Sequence, residues 1–450
     1  MSERLPVFDR RRAGVLLPLF ALDAPLGRGG RAAVDWLADA GFSVWQVLPA
    51  GPTGADRSPY WVRSDLAGNP ALLDPQELPP AGGEDERSFL AANAGWLPDY
   101  ALFEVLTHAC HGAPFWEWPP PLRERDPDAL AQARREHAAQ LARIQSEQFA
   151  FEWQWRALRE HARARGVRLF GDLPFYVAPS SAEVWTERAL FQLLPHGAPA
   201  AVGGVPPDYF AEHGQTWGNP LYDWAAQQRT GFRWWTRRVG GQLAHLDLLR
   251  LDHFRGLAAH WAIPAQAPDA RSGAWQPSPG AALLEALRAQ LPDLPLVAED
   301  LGVITADVIE LMRQYALPGM RVVQFAFDGN PANPHLPFMH VRESVAYTGT
   351  HDNDTTLGWY RDLDADTRAR VDYLLGSRES MPAALIRAVL GSVAQLAVIP
   401  APDLLGLGSD ARINHPGTVG GNWQWQVPPG ALGADLARHY ARLNAAFGRA

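Results

Sequence analysis

The chain has 450 residues, of which 47% are hydrophobic and 20% are charged, so a largely disordered chain is excluded. Its formal net charge of −9 at pH 7 argues against nucleic acid or an anionic membrane surface as a partner. The single cysteine, Cys110, excludes an intramolecular disulfide and a cysteine-rich zinc site.

The N-terminal segment contains an apolar run with two possible interpretations. Basic residues at 10–12 precede the apolar residues 13–22, as they do in a secretory signal peptide. The run is short, contains Pro18 and ends at Asp23 without a convincing cleavage site, so we favour a first core strand. Since no longer uninterrupted apolar stretch follows, the sequence predicts a cytoplasmic protein with no membrane partner.

Short apolar runs and helices alternate along most of the chain. An amphipathic helix predicted over 31–40 ends at Gly41 and is followed by a buried strand over 42–48. Similar runs, each bounded by helical stretches or turn residues, are predicted as strands at 14–19, 167–170, 246–251, 296–297, 321–327 and 344–347. More than six such units favour an α/β fold of the (β/α)8 TIM-barrel type over an open parallel sheet.

The segment from about 84 to 165 is almost entirely helical in pattern. It includes a continuous helical stretch over 128–165, with apolar residues such as Ile144, Phe149 and Trp155 at helical spacing. We therefore predict a helical insertion that packs beside the barrel as a subdomain. No internal repeat or low-complexity linker is evident, so the sequence predicts one catalytic barrel domain over 1–450.

Acidic residues follow four of the predicted strands. One such residue is most often a helix cap or a turn residue, but the carboxyl ends of barrel strands are where catalytic groups collect. The four acidic residues are Asp172, Asp252, Glu299 and Asp352, and basic residues accompany them at Arg250, His253 and His351. This set predicts a shared site at one end of the barrel.

Paired carboxyl groups are the machinery of glycosidic bond cleavage, in which one protonates the leaving oxygen and the other attacks or stabilises the anomeric carbon. Eighteen tryptophans are compatible with sugar binding, since indole rings match the C–H faces of sugars. A metal site at His351, Asp352 and Asp354 is the competing interpretation, but their spacing matches no calcium or zinc motif. No serine-hydrolase elbow, Walker A motif or dinucleotide fingerprint is present, so we expect no metal and no organic cofactor.

Longer motifs strengthen this interpretation. In chain order they are SPY at 58–60, AGNP at 67–70, DYALF at 99–103, GDLP at 171–174, GVPPDYF at 204–210, GQTWGNPLYDW at 214–224, RLDHFRG at 250–256, AEDLGVIT at 298–305, PGMRVVQFAF at 318–327, YTGTHDNDTTLGWY at 347–360 and NWQW at 422–425. Together they span roughly residues 13–427 and resemble the 4-α-glucanotransferases of glycoside hydrolase family 77.

The resemblance implies roles for individual residues. Asp252 resembles the nucleophile, Glu299 the general acid/base and Asp352 the stabiliser of the transition state. The substrate-binding residues implied are Tyr60, Asn69, Tyr100, Asp172, Tyr209, Phe210, Gln215, Trp217, Arg250, His253 and His351. The region at about 200–224 matches the loop that covers the acceptor side of the cleft. Ala55 departs from the family, which has an aromatic residue there, and this affects the remote glucan groove to which Tyr100 would belong.

The activity that the resemblance implies is transfer of α-1,4-glucan segments between maltodextrins, with retention and with release of glucose. The expected partners are maltooligosaccharides, amylose or other α-1,4-glucans, and the protein is expected to be a monomer or a weak homo-oligomer. An α-glucan hydrolase on the same scaffold is one alternative, and a catalytically inactive glycan-binding protein is the other. The three intact carboxylates argue against the second.

Overall fold

The computed structural model describes residues 6–207, 212–376, 378–418 and 420–450. The strands are β1 (Arg12–Leu16), β2 (Val44–Gln46), β3 (Arg168–Leu173), β4 (Ala201–Val205), β5 (Gln215–Pro220), β6 (Leu248–Leu251), β7 (Ala259–Pro264), β8 (Ala274–Pro277), β9 (Leu296–Ala298), β10 (Gly319–Val322), β11 (Ser344–Tyr347) and β12 (Leu396–Pro400).

Helices make up most of the remaining secondary structure. They are α1 (Leu26–Asp39), α2 (Glu84–Ala92), α3 (Leu97–Ala109), α4 (Pro120–Arg123), α5 (Pro127–Glu136), α6 (Ala138–Ala164), α7 (Ala182–Thr186), α8 (Trp224–Arg229), α9 (Arg233–His245), α10 (Gly280–Gln290), α11 (Ala306–Gln314), α12 (Thr356–Asp362), α13 (Ala365–Leu375), α14 (Ala383–Gly391), α15 (Ala401–Leu404) and α16 (Ala434–Ala446). None of the helices in the described ranges has the length and hydropathy of a membrane-spanning segment.

Eight parallel strands form the barrel. Their order is β10-β11-β12-β1-β2-β3-β6-β9, and all seven pairings in this order are parallel. A hydrogen bond of 2.9 Å from Ala298 N at the end of β9 to the carbonyl oxygen of Pro318, the residue before β10, brings the two outer strands together, so the sheet is nearly closed. The predicted (β/α)8 TIM barrel is confirmed.

Alternate residues of the strands face opposite sides of the barrel wall. Leu16, Phe170, Leu248 and Val345 belong to the core inside the barrel, whereas their neighbours in the strands pack against the surrounding helices. Because each strand is buried on both sides, it appears in the sequence as a continuous apolar run. The strand predicted at 344–347 is confirmed residue for residue as β11.

Local chemistry sets the turns between helix and strand. After α1, Gly41 adopts φ +72°, a left-handed conformation that glycine enters at little cost. Phe42 N then donates to Leu37 O at 2.9 Å and satisfies a carbonyl at the helix end. The chain then turns into β2. The helix end predicted at Gly41 is therefore found close to that position.

The structure differs from the sequence-based elements in several places, beginning with the ends of individual elements: the helix predicted over 31–40 is α1, Leu26–Asp39, and the strand predicted over 42–48 is β2, Val44–Gln46. The helix predicted over 128–165 is two helices, α5 and α6, because His137 leaves helical geometry with φ −110° and ψ 20°. The strand predicted over 321–327 ends at Val322, where a 3-10 turn begins. The eighth strand, β12, was not predicted, because its apolar run continues through Pro400 into α15 and shows no periodicity of its own.

A second sheet was also not predicted. Strands β5, β4, β7 and β8 form it in that order with antiparallel pairing, and their glycines and polar residues obscure any alternation. It includes part of the predicted loop region at 200–224. Helices α2–α6 occupy 84–164, and α6 packs on α1 and α3; their grouping as a subdomain stays a prediction.

Candidate active site

An arginine at the end of β6 joins two of the acidic residues. Arg250 Nη1 lies 2.9 and 2.7 Å from the two carboxylate oxygens of Asp172, and its Nη2 lies 2.7 Å from Asp252 Oδ1. Parallel pairing of β3 and β6 puts Asp172 opposite Arg250. The Asp172 side chain is fully buried, whereas that of Asp252 is 29% exposed, so Asp252 is the carboxylate that a ligand can reach.

Tyr60 extends this cluster to the loop after β11. Its hydroxyl donates to Asp172 Oδ2 at 2.9 Å and also lies 2.9 Å from His351 Nε2. The tyrosine and imidazole rings are stacked, with centroids 5.2 Å apart. His351 Nε2 is 3.4 Å from Asp352 Oδ2, and the Asp352 side chain is 45% exposed. Tyr60 and His351 therefore connect Asp172 with Asp352.

Glu299 follows β9 and accepts two backbone N–H groups. His253 N donates to Oε2 at 2.7 Å and Leu301 N donates to Oε1 at 2.8 Å. Burial, and after it the nearby Asp252 carboxylate, raise the pKa of Glu299 while Arg250 lowers it, and together these effects bring it to about 8. Glu299 is therefore protonated at neutral pH and can donate a proton.

His253 has a backbone conformation that is uncommon for a side chain of its size. It adopts φ 47° and ψ 49°, and this left-handed geometry turns its N–H toward Glu299. The Trp217 ring meets the His253 ring edge to face, with centroids 4.8 Å apart. The Tyr176 ring is stacked with that of His253 at 6.5 Å and tilted against that of Trp217 at 6.2 Å. Burial lowers the pKa of His253 to about 4, so the imidazole is neutral.

Residues after β12 complete the site, although sequence reasoning did not find them. Asn414 Nδ2 donates to Asp352 Oδ1 at 2.6 Å, and Arg412 Nη2 donates to Asp352 O at 2.7 Å. Asp403 is buried and accepts from Thr348 Oγ1 and from the N and Oγ1 of Thr356 at 2.6 to 2.7 Å. These contacts fix both ends of the loop that carries Asp352. Recognition of β12 would have directed attention to this segment.

Three other sequence-predicted residues have no contact with the carboxylates. Asn69 Oδ1 accepts from Ala71 N and caps a 3-10 turn. Tyr100 is 2% exposed within α3, and Gln215 Oε1 accepts the indole N–H of Trp217 at 3.1 Å. Their substrate contacts stay predictions. Tyr209 and Phe210 lie outside the described residues.

The loop that carries Asp352 was also the alternative metal site in the sequence. Across the described ranges, no group of three or more His, Cys, Asp or Glu residues is arranged to hold a metal ion. In the loop itself, Asp354 is engaged with Ser409 Oγ at 2.7 Å and with Thr355 N at 2.7 Å. The geometry favours carboxylate chemistry over the metal interpretation of His351, Asp352 and Asp354.

Comparison with known proteins decides the family. A family model described as 4-alpha-glucanotransferase (glycoside hydrolase family 77) matches residues 17–87 and 81–432. The chain belongs to the 4-alpha-glucanotransferase family. The 4-alpha-glucanotransferase of Thermus thermophilus is 42% identical, with 97% of this chain and 98% of the relative covered. That of Synechocystis is 39% identical, with 98% and 99% covered.

Solved structures agree with this assignment. The amylomaltase of Streptococcus agalactiae, in complex with acarbose, superimposes with a TM-score of 0.93 at 30% identity and covers 98% of this chain and all of its own. That of Corynebacterium glutamicum has a TM-score of 0.77 at 18% identity, which supports the fold alone. The resemblance stated from the motifs is confirmed. The chain is a glucanotransferase of the EC 2.4.1.25 type, and the hydrolase alternative is not favoured.

Proposed function

We propose that Asp252, Glu299 and Asp352 carry out 4-α-glucanotransfer between maltodextrins by a double displacement with retention. The observation that carries the proposal is the pairing of two neighbouring carboxyl groups in opposite roles. Asp252 is partly exposed and paired with Arg250 at 2.7 Å, as suits an ionised nucleophile. Glu299 is buried with a pKa near 8, as suits a general acid.

In the first step, an Asp252 carboxylate oxygen attacks C1 of the donor sugar while Glu299 gives its proton to the departing O4. The C1–O4 bond breaks, a glucosyl ester forms on Asp252, and the leaving chain departs with the proton. In the second step, Glu299 removes the proton from an acceptor 4-OH, whose oxygen attacks C1 and breaks the ester. Two inversions restore the α-configuration and the free enzyme.

Asp352 and the polar side chains beside it bind the sugar during these steps. From the side of β12, Asn414 binds the Asp352 carboxylate and Arg412 binds the Asp352 backbone carbonyl. Asp172, Tyr60 and His351 form a connected hydrogen-bonding group beside it. Preorganised polar groups of this kind stabilise charge that develops in the transition state without having to reorganise.

An isotope experiment tests the proposal directly. The enzyme is incubated with unlabelled maltotriose and ¹³C-labelled glucose, and products are resolved by chromatography and NMR. We expect the label at the reducing end of maltose and longer chains, joined through new α-1,4 bonds. Label that stays in free glucose while maltotriose is consumed would contradict transfer, and new β-linkages would contradict retention.

Substitution of Trp217 by alanine should shift the intermediate from sugar toward water. Water is present at about 55 M, so an acceptor at millimolar concentration succeeds only through binding and orientation. Trp217 packs on His253 beside the nucleophile, where it can bind the acceptor ring. We expect the number of new reducing ends per bond broken to rise by about tenfold.

The matched control for this experiment is Trp275→Ala. Trp275 belongs to β8 of the same small sheet and contacts Trp261 and Arg255. The Trp275→Ala substitution should leave the ratio of hydrolysis to transfer unchanged. Equal ratios in the wild type and in Trp217→Ala would show that Trp217 does not bind the acceptor.

Removal of metal ions should not change the rate. The proposed steps need a nucleophile and a proton donor, which Asp252 and Glu299 supply. We expect the initial rate of glucose release from maltotriose to be the same before and after dialysis against a chelator. A rate that falls on chelation and returns with added calcium would require a metal in the mechanism.

We further propose the biological setting of the reaction. The substrates would be maltooligosaccharides, amylose and other α-1,4-glucans, with no nucleic-acid or membrane partner, and the net charge of −9 supports the exclusion of nucleic acid. A cytoplasmic location agrees with a single cysteine. A monomer or a weak homo-oligomer is proposed as the form of the protein in solution.

A further inference from the structure

One buried arginine outside the carboxylate cluster makes an unusually complete set of contacts. Arg238 of α9 has a side chain that is 3% exposed. Its Nε donates to Asp65 Oδ2 at 2.5 Å, and its two terminal nitrogens donate to Pro174 O, Phe175 O and Tyr176 O at 2.7, 3.1 and 3.3 Å. One guanidinium therefore holds three consecutive carbonyl groups.

The segment bound by Arg238 borders the nucleophile. It directly follows β3, whose last residue, Leu173, accepts the N–H of Asp252 through its carbonyl oxygen at 3.0 Å. The Phe175 and Tyr176 rings lie 6.0 and 6.5 Å from the His253 ring. A displacement of this segment would move the rings of Phe175 and Tyr176. These two rings form the acceptor-side wall of the site, against which His253 and Trp217 pack.

The acidic partner of Arg238 leads to a second part of the site. Asp65 lies five residues after Tyr60, which contacts Asp172 and His351. Glu183 supports the Asp65 backbone, since its Oε1 accepts from Asp65 N at 3.2 Å and from Ser64 Oγ at 2.5 Å. The Arg238–Asp65 pair thus joins α9, the segment after Tyr60 and the segment after β3.

We propose that Arg238 is a positioning residue that holds the acceptor-side wall of the site in the geometry needed for transfer. The inference rests on the proposed function of Asp252 and Glu299. Only a planar guanidinium with donors in several fixed directions can serve Asp65 and three carbonyls together, whereas an ammonium is a point donor on a flexible stem. Small errors in the position of reacting groups are costly, because a shift of about 1 Å can lower the rate by about 100-fold.

The test compares Arg238→Lys with Arg237→Lys. Arg237 is the neighbouring residue on α9, is partly exposed and pairs with Glu187 at 3.3 Å. Both variants are assayed with maltotriose for kcat, KM and the number of new reducing ends per bond broken, and their thermal midpoints are recorded. We expect Arg238→Lys to lose about 10- to 100-fold in kcat/KM and to show a larger share of hydrolysis, while Arg237→Lys matches the wild type.

A merely structural role would give a different result. In that case Arg238→Lys would lower the thermal midpoint and the amount of active enzyme, but KM and the share of hydrolysis would equal those of the wild type, and the proposal would be wrong. If Arg238→Lys does not fold, Asp65→Asn is measured in its place and decides by the same criteria. Wild-type enzyme that does not transfer glucosyl units would overturn the proposed function itself, which separates the two failures.

Discussion

Replacement of Asp252 by asparagine should abolish turnover and leave the fold intact. We expect kcat for maltotriose disproportionation to fall by about four powers of ten or more, because an amide is too weak a nucleophile to form the glucosyl intermediate. The asparagine has nearly the same volume, and its oxygen can still accept from Arg250, which keeps Asp172 as a second partner. The thermal midpoint should therefore change little.

The control for this substitution is Asp366→Asn. Asp366 is exposed in the first turn of α13 and should retain wild-type activity. Residual activity of Asp252→Asn above about a tenth of the wild type, in a preparation free of wild-type protein, would refute the assignment of the nucleophile, since losing such a group costs far more than tenfold.

Replacement of Glu299 by glutamine should slow both chemical steps, but to different extents with different donors. With maltotriose we expect a loss of about 1,000-fold, which is within the range of general acid catalysis. With α-maltosyl fluoride the first step should be nearly normal, since fluoride leaves without protonation. A rapid release of one equivalent of fluoride should follow, together with an adduct of one maltosyl unit on Asp252 detected by mass spectrometry.

The wild type offers an independent check of the same residue through pH. The first step requires protonated Glu299, whose pKa is about 8, so kcat/KM for maltotriose should fall as pH rises through about 8. With maltosyl fluoride, which needs no proton, this alkaline limb should disappear from the first step.

The Glu299→Gln experiment has a clear contrary outcome. A variant that is equally slow with maltosyl fluoride and with maltotriose, and that forms no adduct, would show that Glu299 is not the acid.

The barrel could be predicted from the sequence because its strands are buried on both faces. Continuous apolar runs such as 344–347 mark the strands, and Gly41 marks a helix end. The β12 strand was missed because nothing in its composition separates it from the proline-initiated helix that follows. The small antiparallel sheet was missed because two glycines interrupt β4 and polar residues and a glycine dominate β5.

The acidic residues of the site could be predicted because each follows a recognised strand, and the carboxyl ends of barrel strands converge. The contacts that support these residues could not be predicted from the sequence. Asn414 binds Asp352 across 62 residues of chain, and Arg238 reaches Asp65 across 173. Such pairs depend on how the loops fold back, which neither periodicity nor local composition encodes. The burial of Tyr100 in α3 likewise follows from the packing of the helical insertion.

The most direct test of glucan transfer is the fate of maltotriose supplied as the sole sugar. Transfer conserves the number of reducing ends, whereas hydrolysis creates one for each bond broken. We predict glucose together with maltopentaose and longer maltodextrins, while the total number of reducing ends stays nearly constant during the early reaction. Reducing ends that rise in step with glucose release, with no product longer than maltotriose, would contradict the account.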